Sequence, residues 1–218
     1  LTNKYVIVSN YPGTTVEIST GKYFANGKEY EIIDTPGINS LIPQSIDERV
    51  TRDIILKHKD AIIFQVIDSK NLRRGLIIAS QLAELNRKTV FLLNMSDEAR
   101  ELGIITNYKL LKKKINAPII ETVATDRRGL NKIPEAINNA AVPNIKIEYP
   151  QEVSDIISKI TAKMPTIENK EIMAMMLIAD AAGLERWANE HLSETNKDKI
   201  FEIIKELRFN NPNLNYLI

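Results

Sequence analysis

The chain has 218 residues, of which 44% are hydrophobic and 26% are charged, and its formal net charge at pH 7 is +1. This composition predicts a soluble globular protein with one large domain, or one medium domain with a small companion, and it argues against a surface dominated by nucleic-acid binding. The absence of cysteine excludes disulfides and cysteine metal sites, and no apolar run approaches the length of about 18 residues that a membrane-spanning helix needs.

Two stretches rich in β-branched and aromatic residues form a predicted hairpin near the start of the chain. They cover residues 18–24 and 30–33 and flank Asn26-Gly27, the dipeptide most typical of a tight hairpin turn. The second stretch ends on Asp34-Thr-Pro-Gly37. The segment Asn10-Tyr-Pro-Gly-Thr-Thr-Val-Glu17 is predicted to be a loop that leads into the first stretch, and the residues before it have no clear strand partner.

From Ser45 onward, helices and strands alternate. A capping box, Ser45-Ile-Asp-Glu48, begins a helix that runs to about His58. Further helices are predicted over residues 72–85, 108–115 and 130–140, and buried strands over residues 61–67, 88–93 and 118–123. This alternation predicts an α/β fold with a mostly parallel sheet and helices on both faces.

Beyond Val142-Pro-Asn-Ile-Lys-Ile-Glu-Tyr-Pro150, the strand pattern ends. Helical stretches over residues 171–182 and 197–207 predict a small all-α unit. We therefore expect two domains, an α/β domain over residues 1–143 and a mildly acidic helical domain over residues 144–218.

Asp34-Thr-Pro-Gly37 is the first candidate site. An aspartate at the end of a buried parallel strand can hold a magnesium ion through its water shell, and a glycine soon after it leaves a backbone N–H group free to bind a γ-phosphate. The same four residues are also ordinary strand-to-turn chemistry. The tetrapeptide alone leaves both interpretations open.

The second candidate site is Asn94-Met-Ser-Asp97, directly after a predicted strand. The Asp97 carboxylate can accept two hydrogen bonds from N1 and the 2-amino group of guanine, and adenine lacks both donors. Asn and Asp are also common helix caps after strands, so this alternative stays open. The next strand ends in Thr122-Val-Ala-Thr125, which resembles a small-residue loop that contacts the guanine oxygen and is a weak signal by itself.

The order of the segments carries more weight than any one of them. Thr15, Asp34-Thr-Pro-Gly37, Asn94-x-x-Asp97 and Ala124 fall at strand ends, or in the loops beside them, in the order typical of GTPases. Three segments carry a closer resemblance: Asn10-Tyr-Pro-Gly-Thr-Thr-Val-Glu17, Asp68-Ser-Lys-Asn-Leu-Arg-Arg74 and Leu93-Asn-Met95. With this order and these segments, the chain resembles the cytosolic part of FeoB, the bacterial and archaeal ferrous iron transporter, in which a GTPase domain is followed by a helical domain and a membrane-spanning region.

The resemblance implies a P-loop-NTPase-like (Ras-like) fold, with GTP or GDP and Mg²⁺ as cofactors, and a role for each candidate residue. As the catalytic groups, Thr15 would coordinate magnesium and sense the γ-phosphate, Asp34 would hold the metal through water, and Gly37 would bind the γ-phosphate. Ile38 stands where Ras-like enzymes have a water-orienting glutamine, which implies slow hydrolysis. The residues that would bind guanine or support its loop are Asn94, Asp97, Ala124 and Thr125.

The chain departs from the family pattern at its start. The family has a Gly-x-x-x-x-Gly-Lys-Ser/Thr loop upstream of the position of Thr15, and the sequence contains none. That loop wraps the α- and β-phosphates with backbone N–H groups, and its lysine and hydroxyl serve the β- and γ-phosphates and magnesium. We expect that the first strand and the phosphate loop have been trimmed, and a relative that has lost them is the alternative. In both cases the chain as written is expected to bind GTP weakly or not at all.

The resemblance also implies partners and a location. The chain would lie at the cytoplasmic face of the cell membrane, bind guanine nucleotide, contact the membrane-spanning region of the same transporter and regulate iron uptake. No nucleic-acid partner is expected, and self-association is left open. Two other functions also stay open: a pseudo-GTPase interaction module, which the missing loop favours, and a ribosome-assembly GTPase, which would need a basic tail. For the transporter, movement at Gly37 is expected to reach the helical domain through the helix that begins near Ser45.

Overall fold

The computed structural model describes residues 6–167 and 169–210. The strands within these ranges are β1 (Ile7–Asn10), β2 (Glu17–Ala25), β3 (Lys28–Asp34), β4 (Ile63–Asp68), β5 (Thr89–Asn94) and β6 (Ile119–Glu121). The helices of the α/β part are α1 (Ile46–Lys57), α2 (Leu72–Glu84), α3 (Ser96–Glu101), α4 (Tyr108–Ile115) and α5 (Ile133–Asn138). The described strands form two three-stranded sheets, an antiparallel sheet of β1, β2 and β3 and a parallel sheet of β4, β5 and β6.

The antiparallel sheet contains the predicted hairpin. β2 and β3 pair in a register that places Ala25 opposite Lys28. Between them, Asn26 and Gly27 have φ angles of 53° and 72°, and two consecutive positive φ angles are typical of a tight type I′ hairpin turn. β1 pairs with the other side of β2. No partner for β1 was predicted from the sequence, because all four of its residues are exposed and show no alternation of apolar and polar side chains.

The parallel sheet lies between two helical layers. Along β5, successive side chains point to opposite faces of the sheet. Phe91 and Leu93 pack in a cluster with residues of α2 and α4, whereas Val90 and Leu92 pack in another cluster with residues of α5. This arrangement confirms the predicted fold class, an α/β domain in which a parallel sheet carries helices on both faces.

The hairpin turn docks on α5 and thereby orients the antiparallel sheet. The side-chain amide of Asn26 donates a hydrogen bond of 2.7 Å to the carbonyl oxygen of Pro134. Beside the turn, Ala25 is buried in the same cluster as Val90, which lies near the start of β5. Since β3 runs away from this turn, its last residue, Asp34, lies toward the end at which the parallel strands finish.

Residues 142–150 lead from the α/β part to four described helices. These are α6 (Gln151–Thr161), α7 (Lys170–Ala179), α8 (Glu185–His191) and α9 (Glu194–Asn210). Seven of the ten residues of α7 are buried, and they form one core with the other C-terminal helices and with Leu41, Ile42, Leu82 and Leu85 of the α/β part. The division into domains at residue 143 therefore stays a prediction, because the two parts share a core. None of the described helices is both long and apolar enough to cross a membrane.

A buried arginine joins α1 to the C-terminal helices. The Arg52 side chain is 0% exposed, and its guanidinium donates hydrogen bonds to Asp180 (2.9 Å), to Asp53 (2.8 Å) and to the carbonyl oxygen of Gly183 (3.3 Å). Asp180 also pairs with Arg49 at 2.9 Å. Burial raises the pKa of Asp53, and the adjacent Arg52 partly offsets this increase. A desolvated charge needs all of these partners, since removing one leaves an uncompensated charge in the interior.

We predict that Asp180→Ala lowers the free energy of unfolding by about 3 kcal/mol, because the buried Arg52 would lose one of its two carboxylate partners and keep only Asp53. Urea denaturation followed by circular dichroism measures the change. Glu190→Ala is the matched control, since it removes a surface ion pair between Glu190 and Arg186 one helical turn apart and should cost less than about 0.5 kcal/mol. Equal losses in the two variants would show that the Arg52 cluster contributes no more than a surface pair.

Candidate functional site

The carboxyl ends of the parallel strands form the edge at which ligands bind in open α/β sheets. β4, β5 and β6 end there at Asp68, Asn94 and Glu121. After Asn94 the chain turns through Met95, whose φ of 56° is in the left-handed region, and α3 begins at the next residue. The sequence did not predict α3, because its six mostly polar residues give no apolar periodicity.

Asn94 connects the ends of β5 and β6. Its Oδ1 atom accepts hydrogen bonds from the backbone N–H of Ala124 (2.9 Å) and from the hydroxyl of Thr122 (3.2 Å). The hydroxyl of Ser96 donates back to the carbonyl oxygen of Thr122 (3.1 Å). The structure therefore brings Asn94 and Ala124 together, as their places at adjacent strand ends suggest. Ala124 and its neighbour Thr125 are exposed to solvent.

The loop after β6 has a fixed shape. Val123 and Arg128 exchange backbone hydrogen bonds of 3.1 and 3.2 Å, which close the loop on itself. Gly129 follows with a φ of +82°, and a Cβ atom at this position would lie 2.2 Å from the carbonyl oxygen of Glu121. Only glycine satisfies both conditions without a shift of the backbone. The backbone of Val123, Arg128 and Gly129 thus holds the exposed residues Ala124 and Thr125 in place.

Asp97 lies in the first turn of α3, beside this loop. Its carboxylate is 35% exposed and lies 3.6 Å from the guanidinium of Arg128, which also pairs with Asp126 at 3.0 Å. Arg128 could not be predicted from the sequence, since it pairs with a residue 31 positions away that only the fold brings close. A guanidinium presents two N–H groups to a carboxylate, which is the same donor pattern that guanine presents with N1 and its 2-amino group.

Lys70 lies on the other side of α3 and was also missed by sequence reasoning. It follows β4 and forms a hydrogen-bonded ion pair with Glu98, which raises the pKa of Lys70. Its Nζ atom is 3.6 Å from the sulfur of Met95 and 3.9 Å from a carboxylate oxygen of Asp68. Two sets of contacts therefore hold the turn that contains Asn94 and Asp97. Lys70, which follows β4, binds it on one side, and the loop that follows β6 binds it on the other.

Asp34 and Gly37 lie in a separate, exposed segment after β3. A Cβ atom at Gly37 would meet no heavy atom within 4 Å, so open space surrounds this part of the backbone. The segment that follows is fixed to α1, because the Glu48 carboxylate accepts hydrogen bonds from the backbone N–H groups of Asn39 (3.0 Å) and Gln44 (2.8 Å). The exposed Gly37 is thus joined to a rigid support two residues later.

Thr15 does not lie beside Asp34. It is exposed in the loop between β1 and β2, which is closed by a hydrogen bond of 2.8 Å from the N–H of Tyr11 to the carbonyl oxygen of Val16. Asp34 is opposite Ser19 in the strand register, four residues along the chain from Thr15. Of the two predicted metal ligands, Asp34 therefore ends a strand of the antiparallel sheet, whereas Thr15 lies in the loop that precedes β2.

The acidic and histidine residues of the described ranges form no group of three that could hold a metal ion by themselves. Mg²⁺ is commonly held by one or two carboxylates together with phosphate oxygens and water, rather than by a cage made of protein alone. The single exposed carboxylate of Asp34 fits a magnesium ion that arrives with a phosphate ligand. It does not fit a resident metal site.

The fold and this edge define the class of the protein: an α/β domain of the P-loop-NTPase-like (Ras-like) type that is joined to a bundle of helices. The family model described as ferrous iron transport protein B matches residues 1–137, and the chain belongs to this family. The Fe(2+) transporter FeoB of Campylobacter jejuni is 34% identical over 130 residues, which are 60% of this chain. The chain spans only 21% of the length of that curated relative.

Solved structures agree with this membership. The cytosolic domain of FeoB from L. pneumophila is 25% identical with a TM-score of 0.75, and the match covers 96% of this chain and 90% of that one. A mutant NFeoB of S. thermophilus, whose structure is bound to mGDP, is 26% identical with a TM-score of 0.72, and the match covers 95% of this chain and 81% of that one. The resemblance found in the sequence is confirmed at the level of family and fold.

We predict that Gly129→Ala lowers the free energy of unfolding by more than about 2 kcal/mol, because the new Cβ meets the Glu121 carbonyl and the residue must also keep a positive φ. Gly103→Ala is the matched control: its φ is +73°, but open space surrounds it, so only the backbone strain of about 1–2 kcal/mol applies. Thermal and urea unfolding measure both. A smaller loss at Gly129 than at Gly103 would contradict the close approach.

Proposed function

We propose that this chain, when the family's phosphate-loop segment precedes it, binds guanine nucleotide with Mg²⁺ and hydrolyses GTP as the cytosolic, regulatory part of a ferrous iron transporter. One observation carries the proposal: the Asn94 side chain holds the Ala124 backbone at 2.9 Å, which fixes a loop of small residues beside the Asp97 carboxylate at the carboxyl edge of the sheet. The mGDP-bound S. thermophilus relative supports the nucleotide, and the name of the C. jejuni relative supports the iron.

At the base end of the site, Asp97 would accept hydrogen bonds from N1 and the 2-amino group of guanine. The exposed backbone near Ala124 and Thr125 would contact the guanine oxygen. Asn94 would support both, because its carboxamide already fixes the loop. Adenine has neither of the two donors that would bind the Asp97 carboxylate, so bound adenine would leave Asp97 without these hydrogen bonds, and that mismatch would be the basis of specificity for GTP over ATP.

At the phosphate end, Asp34 would hold Mg²⁺ through water and the Gly37 N–H would bind the γ-phosphate. Magnesium supplies charge neutralisation of the phosphates when it is bound. Thr15 would have to leave its place in the β1–β2 loop to reach the same ion, which is a change of segment conformation of the kind that GTPases use as a switch. Ile38 offers no hydrogen bond to an attacking water, so hydrolysis would be slow.

A conformational change caused by nucleotide binding would be passed on to the rest of the transporter. In this proposal the chain lies at the cytoplasmic face of the membrane, and the C-terminal helices lie between the nucleotide site and the membrane-spanning region. Their shared core with Leu41 and Ile42, only a few residues after Gly37, supports this route. The 218 residues contain no Gly-x-x-x-x-Gly-Lys-Ser/Thr sequence, so the tests below use a chimera in which the family's phosphate-loop segment precedes Leu1.

In this chimera, we predict that Asp97→Asn lowers GTP affinity about 100-fold and raises affinity for xanthosine triphosphate, because xanthine presents a carbonyl where guanine has an amine. Fluorescence titration with labelled nucleotides measures both affinities. Glu101→Gln is the control, since this exposed carboxylate is on the same helix α3 and lies outside the proposed base contacts. Unchanged GTP affinity in Asp97→Asn would remove Asp97 from the site and refute the proposed base recognition.

We also predict that Arg128→Ala in the same chimera raises guanine-nucleotide affinity by up to about fivefold. The exposed pair between Arg128 and Asp97 would compete with guanine for one carboxylate, and exposed ion pairs contribute at most about 1 kcal/mol. Arg127→Ala, at the adjacent exposed position, is the control. Weaker binding by Arg128→Ala would instead show that Arg128 contacts the nucleotide.

A further inference from the structure

An exposed apolar surface lies at the connection between α3 and α4, away from the residues assigned to nucleotide. Ile105 is 95% exposed, Leu102 68% and Leu110 50%, and Ile104 beside them is also exposed. We call these four residues the apolar tip. Because Ile105 has almost no contact with the rest of the chain, its side chain contributes nothing to the core, and exposed apolar groups in such a cluster mark interaction sites.

A band of lysines lies directly behind the apolar tip. Residues 102–115 contain four lysines and no acidic residue, and all four lysines are exposed on α4. On this helix Tyr108, Leu111 and Ile115 pack inward. Leu110 and Lys114 are one turn apart on the outward side, with Lys113 beside them, whereas Lys112 lies on the flank of the helix that lines a cavity together with Glu135. We call Lys109, Lys112, Lys113 and Lys114 the lysine band, and none of the ion pairs within the described ranges includes them.

The connection that carries the tip is held in a defined conformation. The N–H of Ile104 donates to the carbonyl of Ala99 (2.8 Å), and the Asn107 side chain caps α4 by accepting from the N–H of Leu110 (3.0 Å). At the other end of α4, the N–H of Asn144 donates to the carbonyl of Ile115 (2.7 Å). The apolar side chains are therefore presented on a fixed backbone, which lowers the entropic cost of docking.

We propose that the apolar tip and the lysine band together dock on a lipid bilayer that carries anionic headgroups. The aliphatic tip would enter the boundary between headgroups and acyl chains, and the lysines would remain at the level of the phosphates. An acidic protein is a poorer match, because protein interfaces concentrate Trp, Tyr and Arg in concave pockets, whereas this surface is a protruding set of Leu, Ile and Lys. A free phosphate would use the lysines but not the tip.

This inference goes beyond the proposed function, since it uses neither the nucleotide nor the iron. It is tested by sedimentation of the 218-residue chain with vesicles of phosphatidylcholine alone or of phosphatidylcholine and phosphatidylglycerol at 3:1. The chain is expected to bind only the anionic vesicles, and binding should weaken as salt is raised.

Two variants separate the two parts of the surface. Ile105→Ser should weaken binding to anionic vesicles about tenfold, through the lost insertion of one apolar side chain. The triple variant Lys112→Gln, Lys113→Gln and Lys114→Gln should weaken it about 100-fold, since each lysine near an anionic surface contributes about fivefold. The first is controlled by Phe209→Ser, an 85% exposed apolar residue on α9. The second is controlled by a triple Lys→Gln variant at the exposed positions Lys59, Lys199 and Lys205.

Four results would overturn the proposal: no binding to anionic vesicles, equal binding to both vesicle types, equal losses in the test and control variants, or capture by polyglutamate as tight as by the vesicles. The last result would assign the surface to an acidic protein, because polyglutamate has charge but no apolar interior. Circular dichroism of each variant shows whether the fold is kept. Since all the substituted side chains are exposed, we expect unchanged spectra.

Discussion

The Arg52 guanidinium is the constraint on which the arrangement of the two parts depends. It has no access to water, so its N–H groups must be satisfied from inside the protein, by Asp180, Asp53 and the Gly183 carbonyl. Two of these partners follow α7 and the other is on α1, which fixes the distance between the α/β part and the C-terminal helices. Apolar packing alone would hold the two parts together, but it would allow small shifts of one part against the other. The buried Arg52 guanidinium allows fewer shifts, because a shift would break its hydrogen bonds.

The same helix α1 ties the segment after Gly37 to this junction. Glu48 binds two backbone N–H groups of the segment, and Leu41, which is 0% exposed, donates its N–H to the Gln81 side chain of α2 at 2.7 Å. Between the exposed Gly37 and the buried Leu41 there are three residues. A displacement at Gly37 must therefore either be absorbed within those three residues or move Leu41 in a core that contains α7. Close-packed interiors resist continuous deformation, which favours transmission.

The sequence could predict what depends on local pattern. The Ser45 cap is confirmed, since the Ser45 hydroxyl oxygen accepts from the N–H of Glu48 at 3.2 Å, and the alternating helices and strands follow from apolar periodicity. The sequence placed Asn94 and Ala124 after strand ends, but it did not predict the hydrogen bond between them. In contrast, Lys70 and Arg128 act through ion pairs with residues 28 and 31 positions away, and no local pattern encodes such pairs. The role of Thr15 as a magnesium ligand was inferred from the resemblance and not from a local pattern. In the structure, Thr15 lies in a loop that is closed by backbone hydrogen bonds.

The proposed base contact and the proposed lipid contact lie at the two ends of one short helix. Asp97 is in the first turn of α3 and the apolar tip begins after its last residue, so about 7.5 Å of helix separates them. Ion pairs of Lys70 with Glu98 and of Arg100 with Glu121 hold α3 against both neighbouring strand ends, and Ser96 is bonded to Thr122. A helix held at both ends has little freedom to switch. Docking at the apolar tip would therefore set the orientation of the nucleotide site relative to the membrane. The segment after Gly37, and not α3, would then be the part that moves when nucleotide binds.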